Sequence, residues 1–132
     1  MHTPLPTDRS LYDTDCPILF AMRLIGQKWK LPILWYISEG PDETLRYGDL
    51  LRKAIGITPT MLTKCLRELE GDRLLFRQQY NTIPPKVEYS LTDSSRALLP
   101  ALSMLYDWAQ MEMSKLDPAR DTASAGSSGR VD

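Results

Sequence analysis

Ile57-Thr58-Pro59-Thr60-Met61-Leu62-Thr63-Lys64-Cys65-Leu66-Arg67-Glu68-Leu69-Glu70 carries the clearest structural pattern in the chain. Thr58 offers a hydroxyl to cap a helix. Pro59 suits the first helical position, where its missing N–H is not needed and its φ is already set. Wound as a helix from Pro59 to Glu70, the segment gathers Met61, Leu62, Cys65, Leu66 and Leu69 on one side. Thr60, Thr63, Lys64 and Arg67 lie opposite. One face is built for a core, and the other is short, hydrogen-bonding and basic.

Immediately upstream, Tyr47 to Ala54 places Leu50, Leu51 and Ala54 on one side and Asp49, Arg52 and Lys53 on the other, which predicts a short helix. Ile55-Gly56-Ile57 is then a tight connection, with Gly56 free to take a positive φ. Further back, Pro17 to Ile25 carries Ile18, Leu19, Ala21, Met22 and Ile25 at helical spacing, with Gly26 as a stop. A second helix starts near Gln27 or Lys28 and runs to Gly40-Pro41, with Pro32 near its start and a slight bend there. Asp42 to Thr44 reads as a polar link.

Downstream, Leu74 to Tyr80 and Lys86 to Leu91 are β-like, joined by Asn81-Thr82-Ile83-Pro84-Pro85. Val87, Tyr89 and Leu91 alternate with Lys86, Glu88 and Ser90, the period of a half-buried strand. Thr92 caps a long final helix reaching about Lys115, kinked at Pro100, with Leu98, Leu102, Leu105, Ala109 and Met113 in one stripe. That stripe is wide for a small domain to cover alone, and a second copy of the chain is the simplest cover.

These elements describe a mainly α protein with a small β-hairpin (α+β), in the order of a winged helix-turn-helix with N- and C-terminal dimerisation helices. Residues 1–15 read as a flexible arm, 16–116 as the folded domain and 117–132 as a disordered tail. In such a fold the second helix of the pair enters the major groove. Thr58, Thr60, Thr63, Lys64 and Arg67 then become candidate DNA contacts at its start and outer face. Arg46, Asn81, Thr82 and Lys86 flank them on backbone phosphates.

The 132 residues carry a formal net charge of -1, which by itself disfavours a nucleic-acid partner. The charge is unevenly placed, however. From Arg46 to Lys86 there are eight basic residues against four acidic ones, so one positive face on an otherwise acidic chain accommodates DNA. Catalysis finds little support: the only histidine is His2, and no phosphate-cradling glycine motif occurs. No enzyme activity, cofactor or metal is expected. The longest apolar run, Leu31 to Ile37, is too short for a bilayer, and a cytoplasmic location with reduced thiols is expected.

Several motifs occur together in one order: Cys16-Pro17, Ile25-Gly26-Gln27-Lys28-Trp29, Tyr47-Gly48-Asp49-Leu50, Ile57 to Thr63, Leu66-Arg67-Glu68-Leu69-Glu70, and Pro84 to Thr92. From about Cys16 to Trp108 the chain closely resembles the HxlR-type winged-helix transcription regulators. The resemblance implies a sequence-specific DNA-binding regulator, active as a homodimer held by its first and last helices. The two recognition helices would lie about one duplex turn, roughly 34 Å, apart on double-stranded DNA. Gly71-Asp72-Arg73 departs from the Asp-Gly turn common in that family.

Cys16 precedes a helix start, where the helix dipole favours a thiolate, although Asp13 and Asp15 oppose it. The resemblance makes Cys16 a candidate redox or electrophile sensor; packing at a dimer interface is the alternative. Cys65 lies on the core side of its helix. Trp29, Trp35, Tyr36, Tyr106 and Trp108 suit core and interface packing, or else a pocket for an unidentified small-molecule effector. The rival to a DNA-binding role is a winged-helix protein–protein interaction module without sequence-specific DNA binding.

Overall fold

The computed structural model describes residues 15–116. Five helices and three strands follow one another: α1 (Pro17–Ile25), α2 (Lys30–Ser38), β1 (Thr44–Arg46), α3 (Tyr47–Lys53), α4 (Pro59–Gly71), β2 (Leu75–Tyr80), β3 (Lys86–Leu91) and α5 (Asp93–Leu116). Compactness divides the chain between Ala97 and Leu98, within α5. The winged arrangement is thus present, with a third strand, Thr44–Arg46, that begins at the last residue of the polar link expected over Asp42 to Thr44.

The core of residues 15–97 is built around α2. Its residues Leu31-Pro32-Ile33-Leu34-Trp35-Tyr36-Ile37 have no polar side, and a helix apolar all round belongs inside. Ile33, Leu34 and Ile37 are fully buried, and α2 touches α3, α4, β1 and β3. Pro32 is the third residue of α2, where its missing N–H has no carbonyl to serve, so the helix accepts it. The helix starts later than expected because Gln27 Oε1 accepts from the Trp29 N–H and holds residues 27–29 as a turn.

The sheet order is β1-β3-β2, antiparallel throughout. Leu45 lies opposite Tyr89, and Leu75 opposite Leu91, all four buried on one face. Thr44, Arg46, Lys86, Glu88, Phe76, Gln78 and Tyr80 share the other face, as strand pairing requires. The three residues of β1 are too few to show a period of two. Two successive left-handed residues, Asp42 and Glu43, turn the chain into this strand.

Helix boundaries follow local chemistry. Thr92 and Ser95 cap α5 reciprocally, each hydroxyl accepting the other's backbone N–H, at 3.2 and 3.0 Å. Gly26 does end α1, but with φ -78 rather than left-handed, and a Cβ there would sit 2.4 Å from the Met22 carbonyl oxygen. At the end of α4 the Leu74 N–H reaches Leu69 O at 2.8 Å and the Arg73 N–H reaches Glu70 O at 3.0 Å, the double bond of a Schellman cap. Its left-handed position is filled by Arg73, with φ 63, instead of glycine.

From Leu98 to Leu116, Leu102 is buried while Met104, Leu105, Tyr106, Trp108, Met111, Met113 and Leu116 are exposed. Pro100 lies inside this helix, which continues past it.

Two opposite effects follow from the left-handed positions. Arg73→Gly relieves the Cβ conflict and raises stability by about 1 kcal/mol, seen as a higher Tm. Gly56→Ala, at φ 99, lowers stability by about the same amount although nothing crowds its Cβ within 4 Å. Equal melting curves for the three proteins would contradict both.

Candidate nucleic-acid interface

The outward face of α4 is set by what its inward face buries. Leu62, Cys65, Leu66 and Leu69 are inaccessible or nearly so. Each fully buried leucine is worth about 1.5–3 kcal/mol, which fixes the rotation of the helix about its axis. Thr58 Oγ1 accepts the Met61 N–H at 3.1 Å, the cap expected from the sequence. Thr60, Lys64 and Arg67 are consequently exposed, and with Pro59, Thr63 and Glu68 they line an open, shallow groove along the helix.

Polar fastenings that sequence reading missed hold α4 in place. The Tyr47 hydroxyl lies 3.2 Å from Pro59 O and 3.3 Å from Thr63 Oγ1, tying α3 to the first turns of α4. Thr63 is therefore half-buried and engaged, less available than its position on the helix suggests. Gln27 Oε1 accepts from the Cys65 thiol at 3.2 Å, while Gln27 Nε2 donates to Met61 Sδ at 3.3 Å. Burial pushes the Cys65 thiol up, as befits an interior side chain.

Lys30, whose side chain is only 7% exposed, reaches Glu68 Oε1 at 2.8 Å, and Lys64 meets Glu68 Oε2 at 3.0 Å. Hydrogen bonds from Lys30 and then Lys64 hold the Glu68 carboxyl below the usual carboxylate range. The charge of Lys64 is thus shared with a carboxylate, whereas Arg67 makes no ion pair among the described residues. The alternation of residue types on α4 showed which face is exposed. Pairs that join residues 34 to 38 positions apart leave no such trace.

The other candidates lie in two further places. Arg46 and Lys86 belong to the outer face of the sheet, Arg46 opposite Glu88 across β1 and β3 and Lys86 two residues before it along β3. Arg46 is exposed, but Lys86 is folded back, 4.5 Å from the Tyr80 ring centroid and 3.7 Å from Glu88 Oε2. Asn81 and Thr82 are exposed at the hairpin tip, where the Ile83–Pro84 peptide is cis. Cys16 is exposed at the N-cap of α1, its carbonyl accepting the Phe20 N–H at 3.1 Å. Among the described residues no group of acidic, histidine or cysteine side chains is placed to hold a metal ion, and no helix is long and apolar enough to cross a membrane.

A short helix, a tight turn, a capped helix with a polar and basic outer face and a projecting hairpin define a winged helix-turn-helix protein. Residues 24–117 match the HxlR-like helix-turn-helix family, and the chain belongs to this family of transcriptional regulators. It is 44% identical over 94 residues to an uncharacterised HTH-type transcriptional regulator of Halalkalibacterium halodurans, covering 71% of this chain and 81% of that one. To the uncharacterised HTH-type regulator YybR of Bacillus subtilis it is 37% identical over 105 residues, 80% and 82% of the two chains. Among solved structures, the redox regulator HypR in its reduced form superposes with a TM-score of 0.70 at 36% identity, over 78% of this chain and 99% of that one.

Glu68→Gln removes the charge that neutralises the buried Lys30 ammonium, and the expected loss is about 1–2 kcal/mol, reduced from that of a fully buried pair because Glu68 is 41% exposed. Because the carboxyl pKa is depressed on folding, its contribution is complete above the ordinary range near pH 4 and fades as pH falls through the lower folded value. Acid unfolding followed by circular dichroism should show this component in the wild type and not in Glu68→Gln.

Proposed function

We propose that the chain acts as a cytoplasmic homodimer in which each copy lays the outer face of α4 in the major groove of double-stranded DNA. Thr60, Lys64 and Arg67 then meet base edges, with Thr58 and Thr63 at the entry of the helix. Arg46, Asn81, Thr82 and Lys86 contact flanking phosphates, Lys86 after leaving its place against Tyr80 and Glu88. The uncovered polar and basic face of α4, held rigidly on a buried opposite face, is the single observation that carries this reading.

Homodimer formation accounts for exposed apolar residues that a monomer leaves in water. In α1 these are Ile18, Leu19, Phe20 and Met22, and in the Leu98–Leu116 part of α5 they include Met104, Trp108 and Met111. Trp108 alone is 60% exposed. A second copy buries such surface at the gain usual for apolar area.

Selection of duplexes from a random-sequence pool, followed by gel shift at several salt concentrations, tests the reading. A recurring two-fold site and a steep salt slope are expected. Retention independent of sequence would favour the protein-binding module. Arg67→Ala should weaken binding about tenfold or more, and Lys64→Ala by less, since Glu68 already shares its charge. Neither should move the Tm appreciably; equal losses of stability and binding would assign both residues to the fold.

Cys16 supports a regulatory role, as an exposed thiol in a chain similar in structure and sequence to the redox regulator HypR. Oxidation by diamide would join its sulfur to that of a low-molecular-weight thiol. Both protons and two electrons pass to diamide, which becomes the hydrazine. Cys16→Ser should bind DNA normally at rest and lose the response to diamide. A mutant that still responds would remove Cys16 from the regulation.

A further inference from the structure

The tip of the hairpin, Asn81-Thr82-Ile83-Pro84-Pro85, carries no charge at all. Ile83 stands at its apex, 99% exposed, more than any other large apolar side chain among the described residues. The apex is not slack: the Thr82 hydroxyl donates to the Pro84 carbonyl at 2.7 Å, and two successive prolines restrict the backbone. An isoleucine left wholly in water forgoes the burial gain of about 1.5–3 kcal/mol.

The cation nearest in sequence does not serve the tip. Lys86 lies back along the sheet, over the Tyr80 ring and against Glu88, to which the Tyr80 hydroxyl donates at 3.2 Å, and on leaving that place it serves a flanking phosphate rather than the tip. Grip on a narrow minor groove by an inserted arginine or lysine is thus not what this tip offers. It offers a rigid apolar point.

The reach is suitable. From buried Leu75 to Tyr80, β2 carries the chain about 16 Å toward the tip with all five later residues exposed, β1 bracing β3 as far as Glu88 and the pairs Gln79–Val87 and Tyr80–Lys86 extending beyond it. Half a duplex turn, the step from a major groove to the next minor groove, is about 17 Å.

We propose that Ile83 is a minor-groove wedge. With α4 in the major groove, the hairpin tip enters the neighbouring minor groove and Ile83 slides between two base pairs, partly unstacking them and bending the duplex. This rests on the DNA-binding reading above and extends it to specificity. Insertion is easiest at flexible pyrimidine–purine steps, so TA and CA/TG steps are favoured under the tip although no side chain there reads a base edge.

The test uses the full chain and a duplex that the wild type selects from a random-sequence pool, with 2-aminopurine placed in turn at each position within a duplex turn of the α4 contact. Wild type and Ile83→Met should raise the fluorescence several-fold at one step beneath the tip and bend the fragment in gel-mobility assays. Ile83→Ala should lose both signals and bind about tenfold more weakly, with an unchanged salt slope because no charge is removed. Its Tm should match wild type, since the side chain packs on nothing. Wild-type binding without unstacking at any position, or Ile83→Ala that binds and bends like wild type, overturns the wedge and leaves DNA binding intact. A wild type that retains no duplex overturns both.

Discussion

Burial of one side of α4 against β2 and α2 is what everything else in the fold is built on. Leu62, Cys65, Leu66 and Leu69 are withdrawn from water together, and no rotation of α4 keeps all four inside while turning Thr60, Lys64 and Arg67 inward. A helix of thirteen residues held this way presents its polar face as a rigid strip, positioned before any partner arrives. Preorganisation of that kind lowers the ordering cost of association, which a loop would have to meet on binding.

Polar contacts refine what burial sets. The Tyr47 hydroxyl reaches Pro59 and Thr63, Gln27 reaches Met61 and Cys65, and Lys30 reaches Glu68, so the start, middle and end of α4 are each fastened to another element. These are short-range, directional interactions, sensitive to small displacements, whereas the hydrophobic contacts beneath them are tolerant. The buried Lys30 ammonium is the costliest of these groups to isolate, and its carboxylate partner also meets the exposed Lys64 on the outer face of α4. The core and the outer face of α4 therefore share one charge network.

Electrostatic moderation runs through the molecule. A chain of net charge -1 has little long-range attraction for a polyanion, and its cations are partly held in reserve: Lys64 by Glu68, Lys86 by Glu88, Arg52 by Asp49. Exposed ion pairs of this kind contribute little to stability and exchange partners readily. Local charge on α4 and the shape of the hairpin then matter more than overall charge, which suits selective rather than indiscriminate attachment to DNA.

Local patterning dictates the element order, the cap at Thr58-Pro59, the inward and outward faces of α4 and the hairpin, because each depends on residues within a few positions of one another. It also placed the chain in its family. Tertiary structure alone decided that Thr44 to Arg46 forms a third strand, since three residues carry no usable period and need β3 as a template. Likewise it decided that Lys64, Lys86 and Thr63 are partly engaged, that Gln27, Lys30 and Tyr47 support α4, and that Arg73 occupies a left-handed turn. Most of those facts join residues far apart in the chain, and such distances close only once the core has packed.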